Sequence, residues 1–285
     1  MVFSSLTFLF YFLPLVIIIN RLLPKKYKNL SLLLFSLLFY VWGEGEMVLV
    51  MLLSITTNYI FGYLIHKKKG EKIAFIFLSM GVSINLLGLF YFKYTNFFAT
   101  EIGYDIANIH LPIGISFFTF QSLSYLVDVY RMPDLYQSNP IKLGLYVSLF
   151  PQLIAGPIVR YADVAEEIEN RNESNNLFFS GVVRFVSGLF KKVFIANQLA
   201  VIANDAFATP IDELPMTMAW LGIVCYALQI YFDFSGYSDM AIGLGRMLGF
   251  NFLENFNYPY ISQNIQEFWT RWHISLSSWF RDYLY

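Results

Sequence analysis

The chain has 285 residues, of which 57% are hydrophobic, 19% aromatic and only 14% charged. Soluble domains carry about 25% charged residues, so this chain cannot cover a water-exposed surface with polar groups. Its formal net charge of −1 provides no basic stripe for phosphates, which argues against nucleic acid as a partner. Several apolar runs approach the roughly 20 residues that cross a bilayer. The composition therefore predicts an all-α, multispanning protein whose surroundings are a lipid bilayer.

The apolar runs predict eight membrane spans and two further helical segments. Short cytoplasmic loops are rich in Lys and Arg, and basic loops at 21–28 and 67–72 follow the first and third spans. Both loops are therefore predicted inside, and the N-terminus outside. The predicted spans are 2–22, 29–43, 46–65, 73–97, 111–130, 141–159, 178–205 and 216–234, and the helical segments are 237–249 and 261–283.

Glycine, proline and charged residues mark interruptions in these helices. Gly43–Glu46 predicts the turn between the second and third spans, and Pro151 with Gly156-Pro157 predicts a kink or re-entrant turn in the sixth. Ser235-Gly236 predicts a helix break near the end of the eighth span. Lys191-Lys192 lies in the middle of 178–205, which fits either a span or an interfacial helix with snorkelling lysines.

Two aspartates six residues apart, Asp233 and Asp239, lie on either side of the predicted break. Intramembrane carboxylates usually face a bundle interior, so we favour a water-filled pocket or a pair with an arginine over a surface loop. The small residues Ala241, Gly245 and Gly249 follow at intervals of four, which predicts a stripe for helix packing.

The segment 261–283 combines aromatic, charged and hydroxyl side chains. On one continuous helix His273 shares a face with Trp269 and Ser277, and Glu267 forms an i,i+4 pair with Arg271. One interpretation is a histidine that moves a proton or positions a hydroxyl at a wet point in the membrane. The other is an aromatic belt at headgroup level, and these residues alone leave both open. No His, Cys or Asp cluster has metal-ligand spacing, so no metal site is predicted.

Five ordered motifs resemble those of the membrane-bound O-acyltransferase family. They are Met1–Ser5, Pro112–Gln121, Phe150–Arg160, Asp233–Asp239 and Phe268–Ser277. The chain is most similar to the bacterial branch of alginate O-acetylation and teichoic acid D-alanylation, and the resemblance covers essentially its whole length. It implies a helical bundle around a tunnel, with the acyl donor entering from the cytoplasm and the acceptor from outside.

The resemblance implies that His273 is the first of two signature polar positions and assists by hydrogen bonding to donor or acceptor. The second, a histidine regarded as the catalytic base, has no match in this sequence. We therefore expect residues 1–285 to be a single membrane-embedded acyltransferase domain, the N-terminal portion of a longer family fold. The residues expected to shape the tunnel or its polar surroundings are Trp269, Arg271, Trp272, Ser277, Gln229, Asp233 and Asp239.

The implied function is acetyl transfer in the bacterial inner membrane, from a cytoplasmic thioester to hydroxyls of an exported polysaccharide. Acetyl-CoA is the expected donor, no bound cofactor is expected, and an extracytoplasmic acetyltransferase is a further implied partner. One alternative is D-alanyl transfer to a cell-envelope polymer. A transporter or flippase would also suit intramembrane acids and broken helices, although transporters predict internal repeats and none is seen. A noncatalytic remnant is the remaining alternative.

Overall fold

The computed structural model describes residues 2–103, 109–154 and 156–285. Met1, Ala155 and part of the predicted loop Thr100–His110 lie outside these ranges. Within them the chain is predominantly helical, and its one bridge between extended segments joins Phe256 and Trp272. The predicted all-α class is confirmed. The helices are α1 Leu13–Leu22, α2 Lys25–Glu44, α3 Val48–Lys67, α4 Lys72–Ile102, α5 Ile115–Arg131, α6 Pro140–Ser148, α7 Phe150–Leu153, α8 Tyr161–Glu169, α9 Asn175–Phe190, α10 Asn197–Ala208, α11 Met216–Met247, α12 Ile265–Arg271 and α13 Ile274–Tyr283.

Four helical stretches of the described chain are long and apolar enough to cross a membrane. They are Lys25–Lys67, Lys72–Ile102, Asn175–Ala208 and Met216–Met247. The first contains α2 and α3, which meet at a 3-10 turn, Gly45–Met47, close to the turn predicted there. A multi-pass membrane protein is therefore confirmed, and these four stretches contain five of the eight predicted spans.

Three predicted spans are too short in the structure to cross a bilayer as single helices. The first is a π-helical turn followed by the ten residues of α1, and the fifth is α5, with 17 residues. The sixth ends at Ser148, because Pro151 has no N–H to bond the Val147 carbonyl. The kink predicted at Pro151 is therefore confirmed. α5 packs against α3 and α4, and most of its side chains are buried, so it is an interior helix of the bundle.

The predicted break at Ser235-Gly236 is wrong, because α11 runs without interruption for 32 residues. Gly236 instead allows a close approach between α11 and α9. A Cβ there would lie 2.8 Å from the carbonyl oxygen of Gly188 in α9, closer than real Cβ atoms come to other atoms. The glycine that predicts a helix end from the sequence is therefore a packing residue inside a helix.

The small-residue stripe predicted for α11 is wrong in register. A Cβ at Gly243 would lie 2.6 Å from backbone of α9, as at Gly236, whereas Gly245 faces the ring of Phe252. Gly249 has a φ of 84° and lies just past the end of α11, where the left-handed conformation favours glycine. The contact with α9 therefore uses glycines seven residues apart.

A π-helical turn, Lys191–Ala196, joins α9 and α10 into one continuous run. Within it Lys191 pairs with Asp239 and Lys192 pairs with Asp233, both on α11. Of the two alternatives predicted for these lysines, the structure favours the span: Asn175–Ala208 is long and apolar enough to cross a membrane, and the ammonium groups bind carboxylates of the neighbouring helix.

Candidate active site

The predicted helix over 261–283 is broken in its middle. α12 ends at Arg271, Trp272 is extended, and His273 has φ 45° and ψ 54° before α13 begins at Ile274. This left-handed backbone costs a residue with a Cβ about 1–2 kcal/mol, so the surrounding contacts must hold it in place. Neither residue at the break is glycine or proline, and for this reason the sequence predicts a continuous helix.

The break removes His273 from the face that it was predicted to share with Trp269 and Ser277. Trp269 is 49% exposed and packs edge-to-face against Phe268. Ser277 is half-buried in α13, and its backbone N–H donates to the carbonyl of His273 over 3.1 Å. Within the described residues neither side chain forms a hydrogen bond or ring contact with the imidazole, and the break separates them, so the predicted helix face is wrong.

A short antiparallel pairing holds the break in place. The N–H of Asn257 donates to the carbonyl of Arg271 over 2.9 Å, and the N–H of Ile274 donates to the carbonyl of Asn255 over 3.0 Å. The Arg271 side chain forms the predicted ion pair with Glu267 and also donates to the carbonyl of Asn257. Arg271 therefore fixes the backbone beside His273.

The imidazole of His273 is half-buried, with one nitrogen bonded and one free. Nδ1 lies 3.0 Å from Oδ1 of Asn255, and the ring packs edge-to-face on Phe234 of α11 with centroids 4.8 Å apart. Nε2 makes no hydrogen bond within the described residues. Burial lowers the pKa of His273 to about 4, so the imidazole is neutral at physiological pH and Nε2 is available to a ligand.

Ser275 connects this centre to the loop after α7. Its hydroxyl donates to Oδ1 of Asn255 over 2.8 Å and accepts the N–H of Ile158 over 3.0 Å. One turn later Trp279, 4% exposed, donates its indole N–H to the carbonyl of Phe120 in α5. The histidine is thus anchored to α5 and to the loop that carries the predicted Gly156-Pro157 turn.

The side chain of Trp272 packs in an aromatic cluster next to His273 in the sequence. Its indole stacks on Phe268 with an interplanar angle of 14° and meets Phe256 edge-to-face. The cluster continues onto α11, so Trp272 links α12 to that helix. Its other ring neighbours are Tyr231, Phe234 and Tyr260.

Asp239 both pairs with an arginine and lines a pocket, the two roles that the sequence favours. Its carboxylate binds Arg184 over 2.7 Å and Lys191 over 2.6 Å and lies on a cavity of about 500 Å³. Asp233 pairs with Lys192 and does not line this cavity.

The same cavity reaches the residues around the break. Ile274 lines it beside Asn257, and Glu254 contributes a second carboxylate that binds Arg184. Within the cavity the charges of Arg184 and Lys191 balance those of Glu254 and Asp239. The result is a polar pocket of little net charge that reaches Ile274, the residue after His273.

The described residues bring some of the predicted site residues together and leave others apart. Trp272 and His273 both pack against Phe234 of α11, and Asp239 lines the cavity that reaches Ile274. The side chain of Gln229 forms no hydrogen bond in the described residues. Within the same ranges no group of three or more His, Cys, Asp and Glu residues could hold a metal ion. Sequence reasoning missed Asn255 and Arg184, although a lone arginine in the apolar run 178–205 is a signal for a buried ion pair.

Comparison with known proteins identifies the family of this chain. Residues 39–285 match the sequence profile of the membrane-bound O-acyltransferase family. The chain belongs to that family. The predicted resemblance is therefore confirmed, and the irregular segment around His273 lies within the part that matches.

Three relatives show the breadth of the family around this chain. "Probable alginate O-acetylase AlgI" of Pseudomonas aeruginosa is 47% identical over 100% of this chain and 56% of its own length. The peptidoglycan O-acetyltransferase of Helicobacter pylori is 35% identical over 100% of this chain and 61% of its own length. The teichoic acid D-alanyltransferase of Bacillus subtilis is 30% identical over 90% of this chain and 65% of its own length. The chain spans less than two thirds of the length of each.

Proposed function

We propose that the whole protein is an O-acetyltransferase that moves an acetyl group from a cytoplasmic thioester to hydroxyls of an exported polysaccharide. The observation that carries this proposal is the neutral imidazole of His273, held on a strained backbone with Nε2 unbonded in the described residues. The next residue, Ile274, lines a polar cavity. Strain of this kind clusters where geometry serves function. Family membership and the two O-acetylating relatives support the reaction type.

The cavity that reaches Ile274 suits a neutral polar group. Arg184 and Lys191 are both engaged by carboxylates, so neither cation is free for a phosphate. We therefore assign this pocket to sugar hydroxyls of the acceptor, or to the acetyl end of the donor, and not to the phosphates of acetyl-CoA. Hydroxyl groups find both donors and acceptors there, because Tyr231 and Asn257 also line it.

Within this proposal the predicted site residues take different roles. His273 hydrogen-bonds a reacting group, and Trp272 forms an aromatic wall of the tunnel. Arg271 holds the backbone beside the histidine, and Asp239 orders the cations of the cavity. Trp269, Ser277, Gln229 and Asp233 are assigned to the outer surroundings. The second signature histidine, which the family resemblance implies to be the catalytic base, has no match among residues 1–285.

We further propose that the protein lies in the bacterial inner membrane with its N-terminus outside. The basic loops at 21–28 and 67–72 support this orientation, because Lys and Arg concentrate on the cytoplasmic side. Acetyl-CoA then reaches the tunnel from the cytoplasm, the polysaccharide reaches it from outside, and an extracytoplasmic acetyltransferase is the proposed partner.

Replacement of His273 tests the proposal. In the whole protein, His273→Ala should lower the O-acetyl content of the exported polymer by about 100-fold, the usual loss when a positioned acid–base group is removed. The amount of protein in the membrane should not change. His110→Ala is the matched control, because its side chain is 61% exposed, and it should leave acetylation at the wild-type level. Wild-type acetylation in His273→Ala would overturn the proposal.

D-alanyl transfer is the second candidate, supported by the Bacillus subtilis relative. The two reactions differ in the ester that they leave on the polymer. Mass spectrometry of the released acyl group therefore separates them: acetate supports the first proposal and D-alanine the second. A third outcome would favour a transporter: the polymer carries neither ester, and its export is normal with the wild-type protein but fails without it.

A further inference from the structure

Asn255 is the most enclosed polar residue in contact with His273. It is 1% exposed and lies in the loop between α11 and α12. Its Oδ1 has three neighbours within hydrogen-bond distance: Nδ1 of His273 at 3.0 Å, the hydroxyl of Ser275 at 2.8 Å and the backbone N–H of Ser275 at 3.2 Å. An amide oxygen with two lone pairs and no hydrogen can only accept from each of them.

The backbone of Ser275 decides which way the amide of Asn255 points. A backbone N–H is always a donor, so the atom facing it must be the oxygen of the amide. A rotated amide would place its NH₂ group against this N–H and leave the buried N–H without an acceptor, which is costly. In this orientation the Nδ2 atom of Asn255 is buried without a partner within the described residues. Rotation would give that NH₂ group acceptors, but it would leave both the Ser275 N–H and the relocated Oδ1 unpaired, so the observed orientation is kept.

The orientation of Asn255 in turn decides where the proton of His273 lies. An acceptor oxygen 3.0 Å from Nδ1 requires a proton on Nδ1, because two lone pairs at this distance repel. The hydroxyl of Ser275 also lies 3.4 Å from Nδ1, but it donates its one hydrogen to Oδ1 of Asn255 over the shorter distance of 2.8 Å and so can only accept from Nδ1. A neutral imidazole carries one ring proton, so Nε2 then has a lone pair and no hydrogen. The ring nitrogen that no described group bonds is therefore an acceptor.

We propose that Asn255 is a positioning residue that holds His273 in the Nδ1-protonated tautomer, so that Nε2 accepts a hydrogen bond from the hydroxyl of the acceptor. The tautomer follows from the contacts of this chain, whereas the choice of ligand rests on the proposed acetyl transfer. A thioester carbonyl needs a donor, which Nε2 in this state cannot be. His273 therefore engages the acceptor hydroxyl and not the carbonyl of the donor.

The low pKa of His273 agrees with this assignment. Burial keeps the ring neutral over the physiological range, and tautomers differ only in the neutral ring. The left-handed backbone of His273 also keeps Asn255 beside the ring, because it lets the N–H of Ile274 donate to the carbonyl of Asn255.

Nitrogen NMR of the whole protein measures the tautomer without turnover. Histidine labelled with ¹⁵N gives well separated signals for protonated and unprotonated ring nitrogens, and the His273 signals are those lost in His273→Gln. The wild-type protein should show a protonated Nδ1 and an unprotonated Nε2 near neutral pH. A protonated Nε2 as the main species in the wild type would overturn the proposal.

Two variants separate the role of Asn255 from that of its neighbour. Asn255→Ala should give a mixture of tautomers and lower acetylation about tenfold, the effect of roughly one lost hydrogen bond. Asn255→Asp keeps an acceptor oxygen and should restore the wild-type tautomer. Ser275→Ala keeps the backbone N–H that orients the amide, so its tautomer should match the wild type.

The outcomes distinguish this inference from the proposed function. A wild-type tautomer pattern in Asn255→Ala would show that Asn255 does not position the ring, whatever the activity. If Asn255→Ala does not fold, the wild-type spectrum and Asn255→Asp still test the assignment. If the wild-type protein shows the expected tautomer but acetylates no polymer, the role of Asn255 stands and the proposed acetyl transfer is refuted.

Discussion

Two polar regions flank α11, and they bury their polar groups by different means. At the contact with α9, cations and carboxylates pair between regular helices: Arg184 and Lys191 bind Asp239, and Lys192 binds Asp233. At the break between α12 and α13, neutral groups bond one another across irregular backbone, and Nε2 of His273 stays unbonded in the described chain. Complete pairing of charges indicates groups that hold the two helices and the cavity wall in place, whereas an ordered neutral network with one unbonded acceptor indicates a group that contacts the ligand.

Removal of the Asp239 carboxylate, which Arg184 and Lys191 share, should have the largest effect on stability. Asp239→Ala leaves the partly buried ammonium of Lys191 without its carboxylate and Arg184 with Glu254 alone, which should destabilise the fold by about 3 kcal/mol. The measurement is the fraction of protein that remains folded and monodisperse after detergent extraction. If Asp239→Ala stays folded after extraction as the wild type does but loses acetylation, Asp239 acts in the reaction and not in folding.

A methyl group between α9 and α11 should have an effect of similar size. In Gly188→Ala the new Cβ would lie 2.5 Å from the carbonyl oxygen of Gly236, and backbone cannot move aside as a flexible side chain can. The expected loss is about 3 kcal/mol, measured as a lower thermal midpoint in detergent. Gly88→Ala in α4 is the matched control, because its Cβ meets nothing within 4 Å. Equal midpoints for the two variants would show that the helices can separate without cost.

The two tryptophans near His273 should respond differently. Trp272→Ala removes a half-buried ring that contacts five other aromatic side chains. It should lower the free energy of unfolding by about 2 kcal/mol and abolish most of the acetylation. Trp269→Ala removes a ring that is 49% exposed and should leave both stability and acetylation near wild type. Thermal midpoints and polymer acetyl content measure the two effects. A larger loss from Trp269→Ala would favour an aromatic belt over a tunnel wall.

The outer ion pair should matter least. Asp233 and Lys192 keep 39% and 28% of their side chains exposed, and pairs of this kind contribute about 0–1 kcal/mol. Asp233→Asn should therefore leave the thermal midpoint almost unchanged at moderate salt. A loss as large as that of Asp239→Ala would show that both aspartates belong to one buried network.

The sequence predicts the helical class, the turn between α2 and α3 and the kink at Pro151, because apolar length, glycine and proline act locally. It does not predict the break at His273, since that conformation depends on hydrogen bonds from Asn255 and Asn257 in another segment. It predicts a break at Gly236 where tertiary contact keeps a helix intact. The site histidine was recognisable from its motif, but its partner Asn255 carries no local signal that separates it from other loop amides.

The bond between Ile158 and Ser275 joins residues 117 positions apart. A ribosome that adds about 5–20 residues per second therefore needs roughly 6 to 23 s between the two ends of this one contact. During that interval the loop after α7 has already left the ribosome, while the segment that orients His273 does not yet exist. The helices that precede α12 can thus insert and pack before the geometry around His273 is assembled.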